Sequence, residues 1–278
     1  MNRPYNTAAK TMGRRAAQLI TELNAQRRST FTLADVERIT GLTQVSARSL
    51  VSKARRRGLV TRLKPGLYSL VPFELGHATE YIGDPYLLVE DLVGDQTHYL
   101  AYATAFELHR MATQPTFTIY VSCLRPPRRQ TVGGYTYRFV RTTPQQIFGL
   151  TKLWVTKEKS VTISDMERTI IDGLRYPLYA NGVSEVAKGL WIKRTDLTVK
   201  TLVEYAMRLN VGAVIRRLGY LLELYELADA ATLGPLRQSL TATYQRLDPV
   251  FPAGGPHLSR WKLQLNVAPE ELLAVRST

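Results

Sequence analysis

The chain has one cysteine, Cys123, in 278 residues. An intrachain disulfide is therefore impossible, and so is a zinc site built on several thiolates. The histidines at 77, 98, 109 and 257 show no ligand spacing, so no metal is expected. Long apolar runs are also missing, since none approaches the roughly 18 residues of a membrane-spanning helix. The opening MNRPYNTAAKTMGRRAAQL has neither the apolar core nor the small-residue cleavage site of a signal peptide, and a cytoplasmic protein is the expectation. Catalytic signatures are scarce as well. There is no P-loop, no G-x-S-x-G, no H-E-x-x-H, and no acidic residue followed two positions later by lysine as in a common nuclease core. Neither enzyme activity nor a cofactor is expected.

Acidic residues are nearly missing from the first quarter of the chain. Residues 1–66 hold 14 Lys/Arg against 3 Asp/Glu, which places +11 of the net +14 there. Residues 67–278 hold 23 against 20, close to balance. The excess is local, which points to a module that attracts a polyanion. The 45% hydrophobic content is enough for two ordinary domains with real cores.

Within the basic segment, AAKTMGRRAAQLITELNAQ from about Ala9 to Gln26 sets Met12, Ala16, Leu19, Ile20 and Leu23 on one stripe, as an amphipathic helix requires. STFTLADVERITGLTQ predicts a second helix with Thr32 as N-cap, Asp35 three residues on, Leu33, Val36 and Ile39 inward and Gly41 as the stop. Thr43 caps a third, with Ala47, Leu50, Val51 and Ala54 on one side and Gln44, Ser46, Arg48, Ser49, Ser52, Lys53, Arg55 and Arg56 largely off it. Gly58 closes this helix in the left-handed conformation. LVTRLKPGLYSLV then reads as two strands around Pro65-Gly66. Three helices and a hairpin make a winged helix-turn-helix, and the short turn containing Gly41 suits a recognition helix crossing its predecessor steeply. Gln44 and Arg48, one turn apart, are the base-reading candidates, because Gln reads adenine and Arg reads guanine bidentately. Lys53, Arg55, Arg56, Arg57, Arg62 and Lys64 are assigned to phosphates.

After about Val71 the pattern turns to α+β. DPYLLVEDLV fits strand or helix; YLAYATAFELHRM predicts a helix; TFTIYVSCL and YTYRFVRT predict strands. SVTISDMERTIIDGLRYP contains Ser164 and Glu167 as a capping box, opening a helix that ends before Pro177. Asp165, favoured at a helix N-terminus, and Asp172 are close enough to Glu167 to suggest acid/base or metal carboxylates, but capping explains the spacing better. Stripes from Val183 to about Tyr244 predict three or four more helices, and RWKLQLNV a late strand. Trp154, Trp191, Tyr220 and Tyr225 are assigned to the core, and the pairs Arg128-Arg129 and Arg216-Arg217 to solvated faces or a second basic patch.

The order of RRRGLVTRLKPGLYSL, YLAYATAFELH and TISDMERTIIDGL resembles the AbiEi family, the antitoxins of type IV toxin-antitoxin systems, over roughly residues 12–245. The last segment is similar to the family's S-D-x-E-R-T-x-x-D motif, carried here by Ser164, Asp165, Glu167, Arg168, Thr169 and Asp172. The resemblance implies a DNA-binding domain at residues 1–72 that represses its own operon at inverted repeats in double-stranded DNA. It also implies a mixed α/β antitoxin domain at 73–278, helical in its C-terminal half, that counteracts a nucleotidyltransferase-type toxin directly or indirectly. Two other classes fit the residues alone: a ligand-responsive winged-helix regulator without a toxin partner, and a nucleic-acid enzyme that uses the basic module for targeting.

Overall fold

A computed structural model of the chain describes residues 11–112 and 115–277. They form an α+β protein with two compact units, one of the described residues up to 95 together with 130–136 and the other of those from 96 to 129 and from 137 onward. Residues 73–95, grouped by composition with the second domain, therefore cluster with the first unit.

The first unit opens with α1 (Arg14–Ala25), β1 (Thr30–Thr32), α2 (Leu33–Thr40) and α3 (Gln44–Arg56). The expected stripe of α1 is buried at Ala16, Leu19, Ile20 and Leu23. Met12 is not part of it, because the helix is capped at Gly13 and Met12 lies 40% exposed before it. Positions 9 and 10 of the expected helix fall outside the described residues. Thr32 and Asp35 form the capping box of α2, each bonding the other's backbone N–H, and Gly41 ends the helix at φ +67°. Thr43 caps α3 through the Ser46 N–H. At its far end the Leu59 N–H bonds Ala54 O and the Gly58 N–H bonds Arg55 O, with Gly58 at φ +67°, a Schellman-type stop. The hairpin of β2 (Val60–Lys64) and β3 (Leu67–Leu70) turns at Pro65-Gly66 as expected, and β1 joins its other side in the order β1-β3-β2. Leu19, Leu23, Phe31, Val36, Ala47, Val51 and Leu59 fill the core between helices and wing. The short helix α4 (Leu88–Val93) follows, which resolves DPYLLVEDLV as helix.

The second unit runs through β4 (His98–Leu100), α5 (Tyr102–Leu108), β5 (Thr118–Cys123), then β6 (Gln130–Val132), which groups with the first unit, β7 (Tyr135–Arg141), β8 (Leu150–Trp154), β9 (Ser160–Ser164) and α6 (Met166–Arg175). Its strands lie in the order β7-β5-β4-β9-β8. YLAYATAFELHRM divides between strand and helix, Ala101 being the extended residue before α5. LTKLW and SVTIS, which no expectation covered, form an antiparallel pair, and β9 then runs parallel to β4. Helices α7 (Val183–Ile192), α8 (Val199–Leu209) and α9 (Gly212–Leu224) pack against α6, whose residues 168–174 are all buried, and α10 (Ala230–Gln238) packs on α8 and α9. A helix buried on every face is the centre of its unit. Gly219 lets α9 approach Trp261, whose ring occupies the space a Cβ would need. The expected strand RWKLQLNV reduces to Leu263–Gln264, the middle of a three-stranded patch with Gln245–Arg246 and His257–Leu258.

Candidate nucleic-acid interface and a buried motif

The α3 helix buries Ala47, Val51 and Ala54, packs the half-buried Leu50 against the same core and leaves its opposite side to solvent. Gln44, Ser46, Arg48, Ser49, Ser52, Lys53, Arg55, Arg56 and Arg57 are exposed, as is Arg62 on the wing. The side chains of Gln44, Arg48, Ser49, Ser52, Lys53, Arg55, Arg56 and Arg62 have no hydrogen bond or ion pair among the described residues. Thr43 and Ser46 bond each other at the cap, and Arg57 reaches the Thr11 carbonyl at 3.5 Å. Lys64 differs. Its Nζ donates to the carbonyls of Asp91 at 2.7 Å and Leu92 at 3.2 Å, so its charge is held inside the unit. The outward face of α3 thus carries unpaired donors on a rigid helix, the arrangement a groove-reading helix needs. Sequence reasoning passed over Val45 at this face, which is 76% exposed. Its signal was available: an apolar residue outside the stripe of buried positions.

Away from that face, Arg28 donates both terminal nitrogens to Asp35, each at 2.9 Å. This ion pair, with the Thr32 bonds at the α2 cap, holds the Asp35 carboxyl well below the usual carboxylate range.

The S-D-x-E-R-T-x-x-D segment is a buried linkage. The expected capping box of Ser164 and Glu167 is shifted by one residue: Asp165 is the N-cap of α6 and accepts the Arg168 N–H at 2.7 Å. Ser164 is instead the last residue of β9, fully buried, with Oγ 2.7 Å from Thr169 Oγ1. The cap moves because β9 continues to Ser164, which leaves Asp165 as the first residue free to turn. Glu167 accepts the Thr198 N–H at 2.8 Å before α8, and Asp165 accepts the Tyr205 hydroxyl at 2.9 Å from α8. Burial and the Asp165 carboxylate together push the Tyr205 hydroxyl up to about 12.

Arg168 is 0% exposed, so this member of the motif lies in the interior of its unit. Its Nε bonds Asp172 at 2.9 Å, and its terminal nitrogens reach Tyr99 Oη at 3.2 Å and Phe148 O at 3.3 Å. The Phe148 ring carries the Arg168 guanidinium at 4.2 Å and that of Arg208 at the same distance. Complete burial pushes the Asp172 carboxyl above its ordinary value, and the Arg168 charge offsets only part of this. With each Arg168 nitrogen bonded, the cluster joins α6 to β4, β9 and α8.

Arg216 and Arg217 are not a surface patch either, being 3% and 4% exposed. Arg217 donates to the carbonyls of Leu174, Leu247 and Arg246, and Arg216 to those of Gly212, Thr241 and Thr243. Burial pushes the Arg217 guanidinium down to about 10. Of the aromatic residues assigned to the core, Tyr220 and Tyr225 are buried, whereas Trp154 is 66% exposed at the end of β8. Among the described residues, no cluster of His, Cys, Asp and Glu could hold a metal ion, and no helix is long and apolar enough to cross a membrane.

No curated protein matches the chain. The crystal structure of the RV2827C protein from Mycobacterium tuberculosis is similar in fold, with a TM-score of 0.68 at 16% identity, over 98% of this chain and 97% of that one. Residues 18–71, which run from within α1 to the end of the wing, match the AbiEi_4 family, described as "Transcriptional regulator, AbiEi antitoxin", so over this segment a family match meets the resemblance read from the residues.

Proposed function

We propose that this protein is an antitoxin-type transcriptional regulator whose winged helix, residues 1–72, represses its own operon. In this reading α3 enters the major groove of operator DNA, with Arg48 and Gln44 on bases and Lys53, Arg55, Arg56 and Arg62 on phosphates. The observation that carries it is the row of cationic and polar side chains on α3 that are exposed and unpaired within the described residues. The localisation of +11 of the net charge in residues 1–66 and the family match over 18–71 support the same reading. The matched family is described as one of transcriptional regulators, which supports a regulator over an enzyme. The second unit counteracts a nucleotidyltransferase-type toxin, in the cytoplasm. Its motif is largely taken up by bonds inside the unit, which favours a toxin-directed surface elsewhere on it.

A reporter driven by the protein's own promoter tests the first part: repression by the wild type, lost in Arg48→Ala combined with Arg56→Ala, is expected. Repression that survives both changes would remove α3 from the account. Co-expression with a neighbouring nucleotidyltransferase gene tests the second: the chain is expected to restore growth. A locus without such a gene, with repression relieved by a small molecule, would favour the ligand-responsive regulator.

A further inference from the structure

Val45 is the most exposed large apolar side chain among the described residues, at 76%. Nothing in the fold asks for it. Valine is a mediocre helix former, and the first turn of a helix favours carboxylates, yet α3 has no acidic residue there. Its position is informative. The core face of α3 is set by Ala47, Val51 and Ala54, and at 3.6 residues per turn the line diametrically opposite passes through Val45, Ser49, Ser52 and Arg56, spaced i, i+4, i+7, i+11. Gln44 and Arg48 lie to one flank of that line. Along it, two short serines allow close approach to a groove floor, and Arg56 at its end meets a phosphate. Val45, near the N-terminus, stands where recognition helices meet base edges. The base feature that an aliphatic side chain recognises in the major groove is the C5 methyl of thymine.

We infer that Val45 is a specificity-determining residue that contacts the C5 methyl of a thymine in each half-site, at the N-terminal end of the line formed with Ser49 and Ser52. This rests on the DNA-reading function proposed above. The thymine methyl replaces water against the two valine methyls, a gain worth about fourfold in affinity for one buried methylene-sized group. A carboxylate at the same place would repel the phosphates on either side, which accounts for the uncharged first turn.

The test uses the full chain and a random duplex library to obtain the preferred site, then a scan that replaces each thymine with deoxyuridine, which deletes only the methyl. Wild type is expected to lose about fourfold at one thymine per half-site, and Val45→Ala to bind thymine and uracil at that position equally. Because Val45 is exposed, alanine there leaves folding intact, and unchanged circular dichroism and melting confirm it. A flat uracil scan, or thymine discrimination kept by Val45→Ala, overturns the inference while sequence-specific binding stands. A library that yields no preferred site overturns the DNA-reading function and this inference with it.

Discussion

Arg168 Nε lies 2.9 Å from Asp172 Oδ1, with the two side chains 0% and 1% exposed. The pair sits one helical turn apart on a helix buried on every face, so each charge has the other as its main compensation. Removing one partner leaves a bare charge in the interior, which costs about 3–5 kcal/mol. Arg168→Ala is therefore expected to lower the denaturation midpoint severely, and Asp172→Ala similarly. The double change Arg168→Met with Asp172→Leu should cost less than the sum of the single changes. Urea melts of the full chain check this, and a near-zero coupling energy would contradict the geometry.

Asp165, and not its neighbour Ser164, is the N-cap of α6. Asp165→Ala removes the acceptor of the Arg168 N–H and of the Tyr205 hydroxyl, and is expected to cost about 1–2 kcal/mol. Asp165→Asn should recover most of this, because Asn also caps. Ser164→Ala loses the bond to Thr169 rather than a cap, so Ser164→Asn, a good cap residue, should be worse than alanine at this fully buried strand end. Thermal melts of the four variants decide the register.

Acid weakens the winged helix through Asp35. Its carboxyl titrates lower in the folded state than in the unfolded one, so the unfolded state binds protons first as pH falls. The stabilisation is fully present above about pH 4, the unfolded value, and is lost progressively below it. Arg28 is 39% exposed, and solvent screening limits the amplitude to about 1 kcal/mol. Asp35→Asn is expected to flatten the pH dependence of stability between about pH 4 and pH 2. Urea midpoints measured across that interval for both proteins give the comparison.

Binding to duplex DNA is expected to fall steeply with salt, with a log-log slope of roughly −4 to −5 for about five phosphate contacts. Arg56→Ala should reduce the slope by about 0.9, the share of one phosphate. Lys64→Ala should leave it unchanged, because its ammonium is already held by the Asp91 and Leu92 carbonyls. Fluorescence anisotropy over a range of salt concentrations reads both variants, and a Lys64 effect equal to that of Arg56 would mean the lysine leaves those carbonyls on DNA.

Much of the first unit was legible residue by residue. Thr32 with Asp35, Thr43 with Ser46, the stops at Gly41 and Gly58 and the Pro65-Gly66 turn all act between neighbours in the chain, so their signals are complete within a few positions. The same holds for the polar face of α3, because a helix converts spacing directly into direction. The strands LTKLW and SVTIS gave no such signal. Their residues are mostly half-buried or exposed, and what makes them strands is pairing with each other and with β4, some 60 residues earlier.

The arginines mark the division most clearly. Composition and helical spacing by themselves determined a basic winged helix, its caps and the cations it presents, since a charge with no partner nearby in the chain is cheapest in water. Only the tertiary structure decided that Arg168, Arg216 and Arg217 are interior residues. Arg217 finds its acceptors at Leu174 and Leu247, and Arg168 finds Tyr99, all remote in sequence. A guanidinium can leave water only where several fixed acceptors replace it, and those acceptors exist only once the helices and the sheet have assembled around it.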